Sequence, residues 1–242
     1  TDAWYQNELK KDGGWTLEMT DTQNPCAGAS NWKASTDPSG GTPGRKNSND
    51  APNADDASPK LLRAYAPDSV HITLVFDEPL NAVSAALTTG YTVSDGIGNP
   101  ITAIAISPLF DRVSLELATA LQRNRIYTVT VNTLSDCVNN GIGTSNTARV
   151  GLYEHTDSLD MVVNEVLFNP STTSNDYVEI YNRSNKILNL RQAYLANLNT
   201  SGVISSITQL SAEDYLLFPG DFMVATDNAD LVKATYITQN PD

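Results

Sequence analysis

The chain is short of cysteine, of basic residues, of histidine and of long apolar runs. Its 242 residues hold two cysteines, Cys26 and Cys137. Two cysteines supply neither a four-ligand zinc site nor a disulfide framework. They read as unpaired, partly buried thiols, because a bridge would require the N-terminal segment to lie beside the middle of the chain. Lys and Arg number 15 against 28 Asp and Glu, for a net charge of -13. That balance argues against nucleic acid, whose phosphates need a basic footprint, and against an anionic membrane surface. Cations, neutral sugars and proteins remain as partners. No segment approaches the roughly 18 apolar residues of a membrane span, and no membrane insertion is expected. No signal peptide opens the chain. The abrupt start at Thr1 reads as a fragment of a longer protein.

Enzyme motifs are also missing. There is no G-x-S-x-G elbow. DGIGNP and NGIGTSN lack the third glycine and the following helix of a dinucleotide loop. His71 lies in a strand and His155 in a linker, and neither has a Cys or second His at ligand spacing. Core or surface roles are expected for both. The chain is therefore read as no enzyme, with no catalytic residue, cofactor or metal ligand assigned.

Short strands dominate what is present. HITLVF (71–76), AIAIS (103–107), RVSLEL (112–117) and IYTVTV (126–131) alternate and are rich in β-branched or aromatic residues. MVVNEVLF (161–168), DYVEIYN (176–182) and DFMVAT (221–226) follow. Helical signals are confined to LNAVSAAL (80–87) and SAEDYLLF (211–218). Such spacing predicts an all-β chain of β-sandwich type. Ile72, Leu74 and Phe76 share one strand face, as do Val113, Leu115 and Leu117, and again Tyr127, Val129 and Val131. Two such faces make a core. Gly96, Gly98 and Asn99 are expected to close a hairpin-like loop, and Asp77-Glu78-Pro79 to turn the chain out of its sheet.

Two linkers, SNDAPNADDASPK (48–60) and the region of GLYEHTDSLD (151–160), divide the chain. The expected portions are 1–50, a linker at 51–58, a central domain at 59–152 and a C-terminal portion at 160–242. The stretch SPKLLRAYAPDSVHITLVFDEPLN resembles the opening of bacterial immunoglobulin-like domains. YTVSDGIGNPITAIAISP, RVSLELATAL and RIYTVTVNTLSDCVNNGI continue that likeness to the domain's close. VVNEVLFNPSTTSNDYVEIYNRSNKILNL, from Val162 to Leu190, resembles the first half of the lamin-tail domain of secreted bacterial proteins. GGWTLEMTDTQNPCAGASNWKASTDPSGGTPGRKNS resembles the last part of the same domain type, with Met19 where arginine is common. The resemblances imply two β-sandwiches, one immunoglobulin-like and one incomplete lamin-tail sandwich. Residues 1–50 would complement 160–242, within one chain or by swapping with a neighbour. The rival arrangement packs the N-terminal residues along the central domain as a structured arm.

Four groups of residues warrant inspection as sites. Asp136, Asn139 and Asn140 form an oxygen-rich loop of calcium-ligand type, read first as a solvated turn built on Asx chemistry. Glu165 and Glu179, with Asp176 near, could form an acid/base pair or a cation site; strand-edge residues bonded to loop backbone are the expected roles. Trp4, Trp15 and Trp32 are expected as core or lid, against a sugar-stacking platform. Asn182-Arg183-Ser184 and Asn199-Thr200-Ser201 match a glycosylation acceptor pattern that carries no weight in a bacterial chain. The resemblances imply a non-catalytic module of a large secreted or cell-surface bacterial protein, spacing or attaching other domains. Envelope polysaccharide or a surface protein would be its partner, and a carbohydrate-binding module appended to a secreted hydrolase is the alternative.

Overall fold

The computed structural model describes residues 2–5 and 7–236. Alternation of apolar residues places the central strands as expected. They are β3 (Leu61–Tyr65), β4 (His71–Phe76), β5 (Tyr91–Val93), β6 (Thr102–Ala105), β7 (Arg112–Glu116), β8 (Tyr127–Val131) and β9 (Thr147–Val150); two arm strands, β1 (Leu17–Met19) and β2 (Trp32–Ala34), precede them. One sheet has the order β3-β4-β7-β6, the other β5-β8-β9, and every pairing is antiparallel. Ile72, Leu74, Val113, Leu115, Tyr91, Val129 and Val131 are fully buried between them. This is the predicted sandwich core. Val93 and Gly98 bridge to close the predicted hairpin loop, and the Asn99 amide donates to Tyr91 O at 2.7 Å. A short helix, α1 (Ala82–Ala85), follows the Asp77-Glu78-Pro79 turn, capped by the Asn81 side chain.

β4 does not keep its alternation, because Thr73 and Val75 on its outer face are buried as well. The cover comes from the C-terminal portion. Arg63, Val75 and Arg112 lie directly opposite one another across β3, β4 and β7, hence on one face. Glu213 reaches onto that face and accepts from Arg63 at 2.7 Å and from Arg112. Beside this contact, Ile187, Leu216 and Phe218 form a second apolar cluster with Tyr65 and Tyr153. Arg149 adds an ion pair with Asp221 at 2.7 Å and stacks over the Phe218 ring.

The C-terminal portion contains β10 (Met161–Leu167), β11 (Tyr177–Asn182), β12 (Leu188–Asn189), β13 (Tyr194–Leu198), β14 (Ile204–Gln209), β15 (Leu216–Leu217) and β16 (Phe222–Ala225), then α2 (Ala229–Thr235). They make a three-stranded sheet, β10-β11-β16, and two pairs, β12-β15 and β13-β14. Ile180, Leu188, Leu190 and Leu217 are buried within this portion. Val163, Val166, Phe222, Leu198 and Ile207 remain exposed on these strands. The helix expected at 211–218 is absent: Leu216 and Leu217 are buried by pairing with Leu188 and Asn189, so tertiary burial overrides local propensity.

The N-terminal arm has almost no apolar core of its own. β1 pairs only with β2, and Ala34 is its buried apolar residue. Polar side chains take over. Asn31, fully buried, accepts from Asp21 N and donates to Asp21 O and Asn24 O. Glu18 is buried in the same way and accepts from Thr42, Ser48 and Asn49. Gly40, with φ of 87°, lets its backbone approach Gly14, and its carbonyl accepts from Thr16 N at 2.8 Å. The Gly40-Gly41 pair therefore belongs to a packed turn.

The arm meets the central domain at the loop of Cys137 and at the linker, where Asn140 donates to Asp55 O. Among the described residues no hydrogen bond or ion pair joins 2–58 to 160–236, so the N-terminal strands do not complete the C-terminal sheet in this chain. Cys26 and Cys137 form a disulfide instead, with Cα atoms 6.3 Å apart. The expectation of two unpaired thiols is corrected by this bridge, which required the docking of arm against domain that sequence spacing does not disclose.

Candidate functional site

A cavity of about 380 Å³ lies where the arm meets the central domain, lined by Asn24, Cys26, Asp55, Asp77, Glu78 and Pro79 among others. Three segments build it. Asn24 comes from the turn after β1, Asp55 from the linker, and Glu78 from the turn that leads β4 out of its sheet. Asp136 approaches from the loop after β8, next to the disulfide, and carboxylate oxygens of Asp55, Glu78 and Asp136 lie within 4.8 Å of one another.

The environments of these carboxylates differ. Asp136 is buried and holds its loop together: Oδ1 accepts from Val138 N at 2.9 Å and Asn140 N at 2.8 Å, and Oδ2 from Asn140 Nδ2 at 2.8 Å. This is the expected Asx-type turn, with Asn139 at φ 76°. The Asn140 amide also donates to Asp55 O at 3.0 Å, tying the loop to the linker. Asp55 accepts from Ala57 N. Glu78 engages no hydrogen-bond or ion-pair partner among the described residues. Burial pushes its carboxyl up to about 7, reinforced by the negative charges of Asp55, Asp77 and Asp136 and opposed by Lys60. The arrangement concentrates negative charge and offers only oxygen donors.

The sequence singled out Asp136 but missed Asp55 and Glu78. Both sit in polar linker or turn segments, where acidic residues are ordinary, and only the docking of the arm brings them together. The Asn24 side chain left no signal either.

The other candidates separate. Glu165 and Glu179 are directly opposed on β10 and β11. Neither bonds to loop backbone as expected: Glu165 accepts from Tyr177 Oη at 2.7 Å and Glu179 from Asn164 Nδ2 at 2.6 Å. Asp176 lies just before β11, and its carbonyl accepts from Thr226. His71 engages Asp68 through Nδ1 at 2.8 Å. His155 contributes its carbonyl to Lys186. The three tryptophans are half-buried: Trp4 and Trp32 pack tilted at 6.2 Å, and the Lys10 ammonium covers Trp15 at 4.2 Å. They pack the arm and present no coplanar platform. Asn182 is fully buried, donating to Lys186 O and Leu217 O, and cannot accept a glycan.

The architecture of the middle of the chain is that of an immunoglobulin-like β-sandwich. Residues 48–156 match the family model described as "Bacterial Ig-like domain". No curated protein matches the chain by sequence. Among solved structures, it is similar to surface layer protein SbsC, domains 1–6, with 17% identity and a TM-score of 0.36, over 62% of this chain and 19% of that one. It is also similar to the N-terminal part of the bacterial S-layer protein SbsC, with 16% identity and a TM-score of 0.36, over 68% of this chain and 45% of that one. A third, the S-layer protein rSbsC(31-844), has 15% identity and a TM-score of 0.37, over 68% of this chain and 26% of that one. The chain spans less than half the length of each of these structures.

Proposed function

We propose that this chain is a non-catalytic structural module of a large secreted or cell-surface bacterial protein, spacing or attaching the domains beside it. The observation that carries this reading is the Cys26–Cys137 disulfide, which clamps the arm onto the immunoglobulin-like domain. Such bridges persist in oxidising compartments outside the cytoplasm. The Glu213 ion pairs and the Ile187 cluster fasten the C-terminal portion to the same domain. A spacer that must hold its neighbours at fixed positions needs such joints, which restrict the relative motion of its parts.

The two ends, 1–50 and 160–242, are portions of lamin-tail-like domains on this reading. The open β10-β11-β16 sheet with its exposed apolar residues supports that, since one face of a sandwich sheet expects a covering partner. Other domains of the parent protein, or a second copy by strand exchange, are the partners this face suits.

The test is a pair of measurements on the oxidised protein. Antibody against the chain is expected to label intact cells or the culture medium, and an array of envelope polysaccharides is expected to stay flat. Confinement to the cytoplasm would overturn the surface reading. A saturable, sugar-specific signal would replace it with a carbohydrate-binding module.

A further inference from the structure

The joint between arm and central domain carries chemistry that the spacer role alone does not use. Asp55, Glu78 and Asp136 come from three separate segments, yet their oxygens lie within 4.8 Å of one another. Two oxygens bound to one calcium ion at about 2.3–2.6 Å are at most roughly 5 Å apart. The three carboxylates thus lie within the span that one shared ion permits. Asp136 keeps room for it: a carboxylate has about four acceptor positions, and N–H groups fill three. Glu78 has its whole carboxylate uncommitted among the described residues.

A second, independent observation comes from Asn24. It lines the same cavity and is only 4% exposed. Its Nδ2 donates to Asn53 O at 2.8 Å, while its Oδ1 has no hydrogen-bond partner. A buried carboxamide oxygen without a donor is rare in folded proteins, and a cation satisfies it. Lys60 stands 4.0 Å from Asp77, and no salt bridge reaches Asp55, Glu78 or Asp136 among the described residues.

We propose that Asp55, Glu78, Asp136 and the Asn24 side-chain oxygen form a calcium site that pins the arm to the immunoglobulin-like domain beside the Cys26–Cys137 disulfide. The donor set selects the metal class. All donors are oxygens, which suits hard cations, and both cysteine sulfurs are held in the disulfide. Donors drawn from separated segments, with space left for water, suit the flexible sphere of six to eight ligands that calcium accepts better than the strict octahedron of magnesium.

The experiment is a calorimetric titration of CaCl2 into oxidised, EDTA-treated protein, with thermal unfolding followed in calcium, in magnesium and in EDTA. One equivalent is expected to bind with Kd of roughly 10⁻⁴–10⁻³ M, as in extracellular modules, with a higher Tm in calcium than in EDTA. Asp55→Asn combined with Glu78→Gln is expected to weaken binding at least tenfold. That variant keeps its fold, since it removes charge repulsion, and its Tm in EDTA should equal or exceed that of the unaltered protein. Absence of saturable binding overturns the proposal. So does calcium binding that survives undiminished in the double variant. An equal response to magnesium overturns the calcium assignment.

Discussion

Ser48 donates its hydroxyl to the buried carboxylate of Glu18 at 2.7 Å, thirty positions away in the chain. Thr42 and Asn49 complete the ring of donors. Hydrogen bonds from Ser48, Thr42, Ser35 and Asn49 outweigh the opposing cost of burial and bring the Glu18 carboxyl down to about 2. Its folded value lies below its ordinary value of 4.5. The stability it contributes is therefore fully present above about pH 4.5 and is lost as pH falls towards about 2. Glu18→Gln is expected to cost the arm about 2 kcal/mol at neutral pH, and the deficit should shrink on acidification through that window. Proteolysis of the arm, measured against pH, checks both the size and the sign.

The disulfide closes a loop across a separation of 111 residues. Cross-links over loops of this length stabilise by about 3–5 kcal/mol in the chain-entropy account. With so little apolar burial in the arm, Cys26→Ser with Cys137→Ser should release residues 17–34 before the sandwich melts. Hydrogen exchange should then show lost protection in β1 and β2 while β4, β7 and β8 keep theirs. Equal loss in both would show that arm and domain unfold as one unit.

Glu213 serves two guanidinium groups at once, Arg63 and Arg112. Its carboxyl is held below the ordinary range, chiefly by the hydrogen bond from Arg112. The pair is partly exposed, so screening limits the contribution. Glu213→Ala is expected to destabilise docking of the C-terminal portion by about 1 kcal/mol, visible as faster exchange in β12 and β15. High salt should shrink the difference.

Gly151 marks where the central domain hands over to the C-terminal portion. A Cβ there would collide with the Ile187 side chain and lie 2.7 Å from Arg125 O, a backbone atom that cannot swing aside. Gly151→Ala should cost about 1–3 kcal/mol through overpacking. Ile187→Ala, at a residue only 2% exposed, should cost about 2–4 kcal/mol through the cavity it leaves. Chemical denaturation measures each.

Local pattern determined much of this protein. Alternating β-branched residues define β4, β7 and β8 within a residue or so, because side chains alternate faces along any strand and one face of each is buried. Glycines at 96 and 98 mark their turn for a similarly local reason, adopting φ of 82° and 79° that other residues resist. Tertiary structure decided the rest. Val75 and Thr73 are covered because Glu213 and the cluster of Ile187, Leu216 and Phe218 bring a distant segment onto the outer sheet face. Leu216 and Leu217 leave a helical pattern because Leu188 and Asn189 offer a buried strand partner. Cys26 meets Cys137, and Asp55 meets Glu78 and Asp136, only once a polar arm docks on the sandwich. Such encounters depend on contacts between remote segments, whose energies no short stretch of sequence contains.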